Sequence, residues 1–369
     1  MKASLLWTLT SGFLVLSACG KPVNRRSSMF EAWIDSGSPA RLFGEGFEDR
    51  FEALPTSGTV QQMPWADTYW PNYKRGLAWR WQAGDEVAQM PSKDDVQAFD
   101  SEQINRLSPA EKYDLYLGQY DYPLTSSELS RTDADQDSWW GLCHGYAPAS
   151  ILFAEPEPIS VANPDGIEIN FTSSDIKALL TYAQQYQRKS DSTLFMATRC
   201  NEDLEDTFEP YSRACRGVNP GSLHIALSEM LGNRQEAVVV DIEQGQEVWN
   251  FPAISYQSEI LEESSQIYDS AAEGTVKIIA VNTTVVFVQP INPHTEAIGA
   301  VDVGQFITKD YQYTVELDKE GRIIGGDWKS DDSPDFLWLQ TPFEFSGYFE
   351  QLRNLHSQPL EENMTSRFR

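Results

Sequence analysis

Cys143 stands in Trp140-Gly141-Leu142-Cys143-His144-Gly145-Tyr146-Ala147, where a loop gives way to a helix-compatible run. A thiol at a helix N-terminus meets the positive end of the peptide dipoles and unpaired N–H groups, which favour the thiolate and can bind an oxyanion. Such a sulfur attacks acyl carbon, and it needs a base. The chain has only four histidines. His144 is adjacent to Cys143, so on a helix its side chain points about a quarter-turn away, the wrong place for a base. His294 falls in the turn setting Asn292-Pro293-His294, and His356 in a charged tail. His224 enters an apolar run within Asn219 to Leu227, and Asp241 follows at the end of Val238-Val239-Val240. Cysteine, then histidine, then acid is the order of a thiol triad, with His224 as base and Asp241 holding its tautomer. Trp140 and Trp249 are candidates for the substrate and oxyanion end of that site. The bland alternative is a structural cysteine beside tryptophans and a satisfied core histidine.

The remaining cysteines bound the compartment. A lysine at position 2, an apolar run from Leu5 to Leu16 and the stretch Leu16-Ser17-Ala18-Cys19 read as an export signal too short to be a permanent membrane span. Those last four residues resemble the bacterial lipobox, which implies cleavage before Cys19 and a lipid on it. The expectation is a protein anchored to a bacterial membrane, the outer one, facing periplasm or surface and touching membrane only through that lipid. In an oxidising space Cys200 and Cys215, in a polar segment, suit a disulfide worth about 3 kcal/mol in the chain-entropy treatment. Cys143 is then left as the single thiol. A formal charge of -27 argues against nucleic acid as a partner, because phosphate contacts need clustered lysine and arginine.

The elements that must position these residues follow from pattern. Ser108-Pro109-Ala110-Glu111 reads as a capping box opening a helix to about Leu117. Ile167 to Phe171 alternates as a strand, and Ser173 or Ser174 caps a helix to about Tyr186. Apolar β runs come later: Ala237 to Ile242, Val276 to Val281, Thr284 to Val288, and Tyr311 to Leu317 with a hairpin turn into Ile323. Helices early and strands late indicate an α+β fold. The expected organisation is a signal peptide over 1–18, a lipidated polar tether over 19–55, an N-terminal accessory region over 56–130 and a catalytic core with C-terminal hairpins over 131–369. Asp133, Asp135 and Asp137 alternate like the start of a calcium loop but lack its later glycine and acid, so a solvated acidic turn is favoured and no cofactor is required.

Taken together, the segments resemble the elicitor-type transglutaminases of oomycete plant pathogens and their bacterial relatives. Trp140 to Ala149 is similar to that family's nucleophile segment, and Asn219 to Leu227 to its histidine segment. Val248-Trp249-Asn250-Phe251-Pro252 is similar to the exposed peptide, Val-Trp-Asn-Gln-Pro in the oomycete proteins, that plants detect. Tyr69-Trp70-Pro71, Glu111 to Asp114, Gly325 to Trp328 and Pro334 to Trp338 extend the similarity over most of the chain after the leader. The resemblance implies a papain-like core and protein-glutamine γ-glutamyltransferase activity, with protein glutamines as donors and lysine amines as acceptors. Phe251 departs from the family's glutamine, and Ser333 stands where histidine is expected before Pro334. Two rivals remain: a cysteine peptidase or amidase of the same fold, and an inactive envelope or adhesion lipoprotein.

Overall fold

The computed structural model of the chain describes residues 37–84, 89–187, 193–200, 217–300, 304–330 and 332–356. The expected leader, the expected lipidation site Cys19 and the expected disulfide partner Cys215 lie outside them.

Five helices of eight or more residues are present among the described residues: α1 (Pro109–Tyr116), α2 (Pro123–Arg131), α3 (Cys143–Leu152), α4 (Ser173–Tyr186) and α5 (Pro220–Leu227). The capping box of α1 is formed as its sequence predicts: the Glu111 N–H donates to Ser108 Oγ, and Glu111 Oε2 accepts from the Ser108 N–H at 2.9 Å. Each such cap stabilises by about 1 kcal/mol. The cap of α4 is Thr172 rather than either following serine, because Asp175 at the third helical position completes the box with it. Asp175 also takes the fully buried ammonium of Lys112 at 2.6 Å, which ties α4 to α1.

Among the described residues, ten strands build one large antiparallel sheet and one small hairpin. The strands are β1 (Ser57–Thr59), β2 (Ile159–Ala162), β3 (Glu168–Phe171), β4 (Thr193–Met196), β5 (Val238–Asp241), β6 (Asn250–Ser264), β7 (Lys277–Val288), β8 (Phe306–Leu317), β9 (Ile323–Trp328) and β10 (Leu337–Gln340). The large sheet runs β4-β10-β5-β6-β7-β8-β9, with β1 added to β6. It is open, all of its pairs are antiparallel, and helices pack on it, so the fold is α+β as expected. The two apolar runs either side of Asn282 and Thr283 are one strand, β7. Thr283 is buried there because its hydroxyl is shared with Ser258 and Tyr313, so a polar side chain sits mid-strand without an unmet hydrogen bond.

Two boundaries differ from the sequence expectation. The last part of the expected tether, 37–55, is packed: Leu42, Phe51 and Leu54 are buried, and Phe51 stacks on His224. Nor does packing break at residue 130. Trp65, Trp70 and Tyr113 of the expected accessory region share one hydrophobic cluster with Tyr146, Val239 and Trp338 of the expected core. Apolar burial on this scale, about 25 cal/mol per Å², works through contact rather than chain order, so the early segment is an integral wall of the core. Among the described residues no helix is long and apolar enough to cross a membrane.

Candidate active site

Cys143 is the first residue of α3, as its loop-to-helix setting predicts, and it is a free cysteine. Two glycines set its position. A Cβ on Gly141 would lie 2.5 Å from the Tyr69 ring, and one on Gly145 would lie 2.1 Å from the Thr181 carbonyl of α4. Only glycine therefore lets the strand of chain before Cys143 lie on Tyr69 and lets α3 cross α4 this closely. The Leu142 N–H donates to the Tyr69 carbonyl at 2.7 Å and the Asn72 N–H to the Trp140 carbonyl at 2.8 Å, fixing the approach to the helix.

Polar groups surround the sulfur. Val248 O and His144 Nδ1 each lie 3.6 Å from Sγ, and Asn250 Nδ2 lies 3.8 Å away. The single S–H proton thus has two acceptors at equal distance, a carbonyl and an imidazole. Burial pushes the thiol up to about 11, and Asp241's charge pushes the same way, against hydrogen bonds from the Asn250 side chain and from the backbone of Asn250 and His144. The helix N-terminus was expected to lower this value; desolvation wins because Cys143 is only 6% exposed. At neutral pH the thiol carries its proton, and attack requires a base.

The structure does not bring His224 to that base position. Its Nδ1 lies 2.9 Å from the Tyr313 hydroxyl and its ring stacks on Phe51, with burial pushing it down to about 4. Strand alternation explains the separation. Tyr313 pairs with Val281 in β7, and Phe287, an even number of residues further along β7 and so on the same face, pairs with Ala253 in β6. Asn250, three residues before Ala253 on the same strand, points to the opposite face. His224 and the thiol therefore lie on opposite faces of the sheet. His294 Nε2 accepts from Lys177 Nζ at 2.8 Å, and His356 Nε2 lies 3.0 Å from the Ala154 carbonyl. With those three engaged elsewhere, His144 is the imidazole at the sulfur.

Asp241 is near the site and held to the Trp249 backbone, while His224 is bonded to Tyr313 instead. Asp241 pairs with Asn250 across β5 and β6, and its Oδ1 accepts the Trp249 N–H at 2.9 Å. Burial, with Asp335 nearby, pushes its carboxyl up to about 8. Its contribution is to hold the β5–β6 turn that lays Val248 to Asn250 over Cys143. Of the two tryptophans, Trp140 is 44% exposed beside Trp139, and Trp249 packs edge-on against Tyr69 while its indole N–H donates to Glu247. The peptide Val248 to Pro252, similar to one that is exposed in the oomycete proteins, is buried here except for the half-buried Trp249, because it leads into β6, the middle strand of the sheet. Cys200 is buried with its N–H donating to Asp335. Asp133, Asp135 and Asp137 occupy an exposed turn in which the Asp135 N–H returns to Asp133, and among the described residues no three metal-binding side chains gather.

The family model described as transglutaminase elicitor matches residues 39–114 and 132–343, a span that includes Cys143, His144, Asp241, Asn250 and Trp338. The chain belongs to the transglutaminase elicitor family. Its fold is similar to the crystal structure of the GP42 transglutaminase from Phytophthora sojae, with a TM-score of 0.63 and 22% identity over 88% of this chain and 97% of that one. No curated protein matches the chain. As a member of the elicitor family it carries the family's α+β architecture. Sequence reasoning missed Asn250 and Trp338 and set His144 aside; the Asn250 signal was its place in a segment already singled out for its similarity to the family peptide.

Proposed function

We propose that this chain is a protein-glutamine γ-glutamyltransferase acting through a thioester on Cys143. The observation that carries the reading is the free thiol at the start of α3 with an imidazole 3.6 Å away and amide donors around the sulfur. His144 takes the thiol proton as sulfur attacks a glutamine carboxamide carbon, forming the C–S bond and moving the C=O π pair onto oxygen. That pair returns as the C–N bond breaks, and nitrogen leaves as ammonia with the proton from His144. A lysine amine then attacks the thioester, gives a proton to His144, and expels the thiolate, which is reprotonated. Asp241 acts as a positioning residue through the Trp249 backbone.

Transfer is favoured over hydrolysis by the near-complete burial of Cys143 beside Val248 and Asn250, which restricts water at the sulfur. Export and lipid attachment at Cys19 belong to the same proposal, supported by the leader pattern alone. The test is incubation with a fluorescent primary amine and a glutamine-rich protein beside Cys143→Ala. Cysteine-dependent label incorporation supports transfer. Ammonia release without label assigns hydrolysis, and no turnover of either kind sinks the enzyme reading.

A further inference from the structure

We infer that the Asn250 side-chain amide is the oxyanion donor of this site and that Trp338 is the positioning residue that aims it. The inference rests on the thioester reading above and deepens it.

A carboxamide can turn either end towards a neighbour, and which end faces which must come from its partners. The Trp338 indole can only donate, and its Nε1 lies 2.8 Å from Asn250 Oδ1. The oxygen of Asn250 therefore faces the indole, and its NH2 faces Cys143 Sγ at 3.8 Å. The ladder builds this directly. Asn250 opens β6, opposite Asp241 in β5; Val239, two residues back in β5, pairs with Trp338 in β10. Two-residue spacing keeps all three side chains on one face, the one Cys143 meets. Trp338 is itself held: Phe195 of β4 stacks on it with ring centres 5.7 Å apart, and the His144 ring lies 5.8 Å away.

Attack by sulfur creates a charged oxygen within bonding reach of the new centre, and a donor 3.8 Å from the sulfur can approach that oxygen to about 3 Å. Asn250 and Trp338 are both buried, so this dipole acts where water does not screen it. The tryptophans expected at this end do not supply the donor: the Trp249 indole N–H is committed to Glu247, and Trp140 is 44% exposed beside Trp139.

The experiment compares wild type, Asn250→Ala and Trp338→Phe as full chains in amine-incorporation kinetics. Asn250→Ala is expected to lower kcat by about 10²–10³-fold with KM within about threefold. Trp338→Phe keeps the ring and removes only the N–H, and is expected to lower kcat about tenfold at unchanged KM. A second readout uses a peptide aldehyde of glutamine shape, which forms an oxygen-bearing adduct on sulfur, beside chloroacetamide, which creates no such oxygen. Asn250→Ala should weaken the aldehyde about a hundredfold and slow chloroacetamide less than about tenfold. Parallel losses for both reagents, or kcat within about threefold of wild type, overturn the inference while leaving the thioester reading intact. If wild type itself gives neither turnover nor adduct, the proposed function fails and the inference falls with it. Should Asn250→Ala not fold, Asn250→Leu fills a similar volume with no donor at all, and the same losses are expected.

Discussion

His144 Nδ1 lies 3.6 Å from Cys143 Sγ although the two residues are consecutive in α3. Neighbours on a helix diverge, so contact requires both side chains to lean to the helix end, where no preceding turn obstructs them. Here Leu142 supplies no side-chain cap, which leaves that end open to them. His144→Ala is expected to lower kcat for amine incorporation by about 10²–10⁴-fold, the range for loss of a general base. His224→Gln should keep kcat within about threefold, since its partner is Tyr313 on the other face of the sheet. The opposite ranking in one assay would return the base role to His224.

The thiol's environment fixes a pH signature. With burial holding Cys143 up at about 11, the thiolate fraction at pH 8 is about one in a thousand, against about a quarter for an unperturbed cysteine. Iodoacetamide should therefore label the folded chain at pH 8 at least about a hundredfold more slowly than the unfolded chain, with the rate still climbing between about pH 9 and 11. A rate that levels off by neutral pH would mean that a stable thiolate is present at rest.

How far this site was legible depends on the distance over which information had to travel. Cys143, its helix and the α1 capping box rest on local chemistry within a few residues, and they form as the sequence indicates. The pairing of Cys143 with His224 rested on chain order, which is blind to the face of a sheet. One residue of strand alternation sends Asn250 towards the thiol and Phe251 away from it, and that choice is set by the β5–β6 register. Trp338 reaches the site only because β10 returns beside β5, a crossover that no window of sequence contains. Thr283 hid the unity of β7 by placing a hydroxyl where a hydrophobe was expected, and only Tyr313 and Ser258 make that tolerable.

His224 has its own consequence for stability. Burial pushes its folded value down to about 4, below the roughly 6.5 of an unfolded histidine. Between those values the unfolded chain binds the extra proton, so stability rises as pH rises through this window and is lost as pH falls. At pH 5 the loss from this residue is about 2 kcal/mol relative to pH 7. His224→Gln lowers stability at every pH by disturbing the Phe51 stack, yet the decline between pH 7 and 5 should be shallower than in wild type. Denaturant midpoints at the two pH values measure it; equal declines would place the acid sensitivity elsewhere.

The ion pair joining α1 to α4 gives the clearest structural prediction. Lys112 and Asp175 are both fully buried, 2.6 Å apart, and the same carboxylate accepts the Thr172 N–H of the α4 cap and the Trp81 indole N–H. Lys112→Met keeps much of the stem's packing but leaves that carboxylate without its cation in a medium that cannot solvate it. Breaking a buried pair on one side costs about 3–5 kcal/mol, more than the pair itself contributes relative to a hydrophobic replacement. Because Gly145 packs α3 against Thr181 of α4, loosening α4 also disturbs the helix that carries Cys143. Lys112→Met should thus lower the urea midpoint and reduce amine incorporation, whereas replacing both partners together should recover part of the midpoint. A double variant no more stable than the single one would show that Asp175 acts through the cap and Trp81 rather than through Lys112.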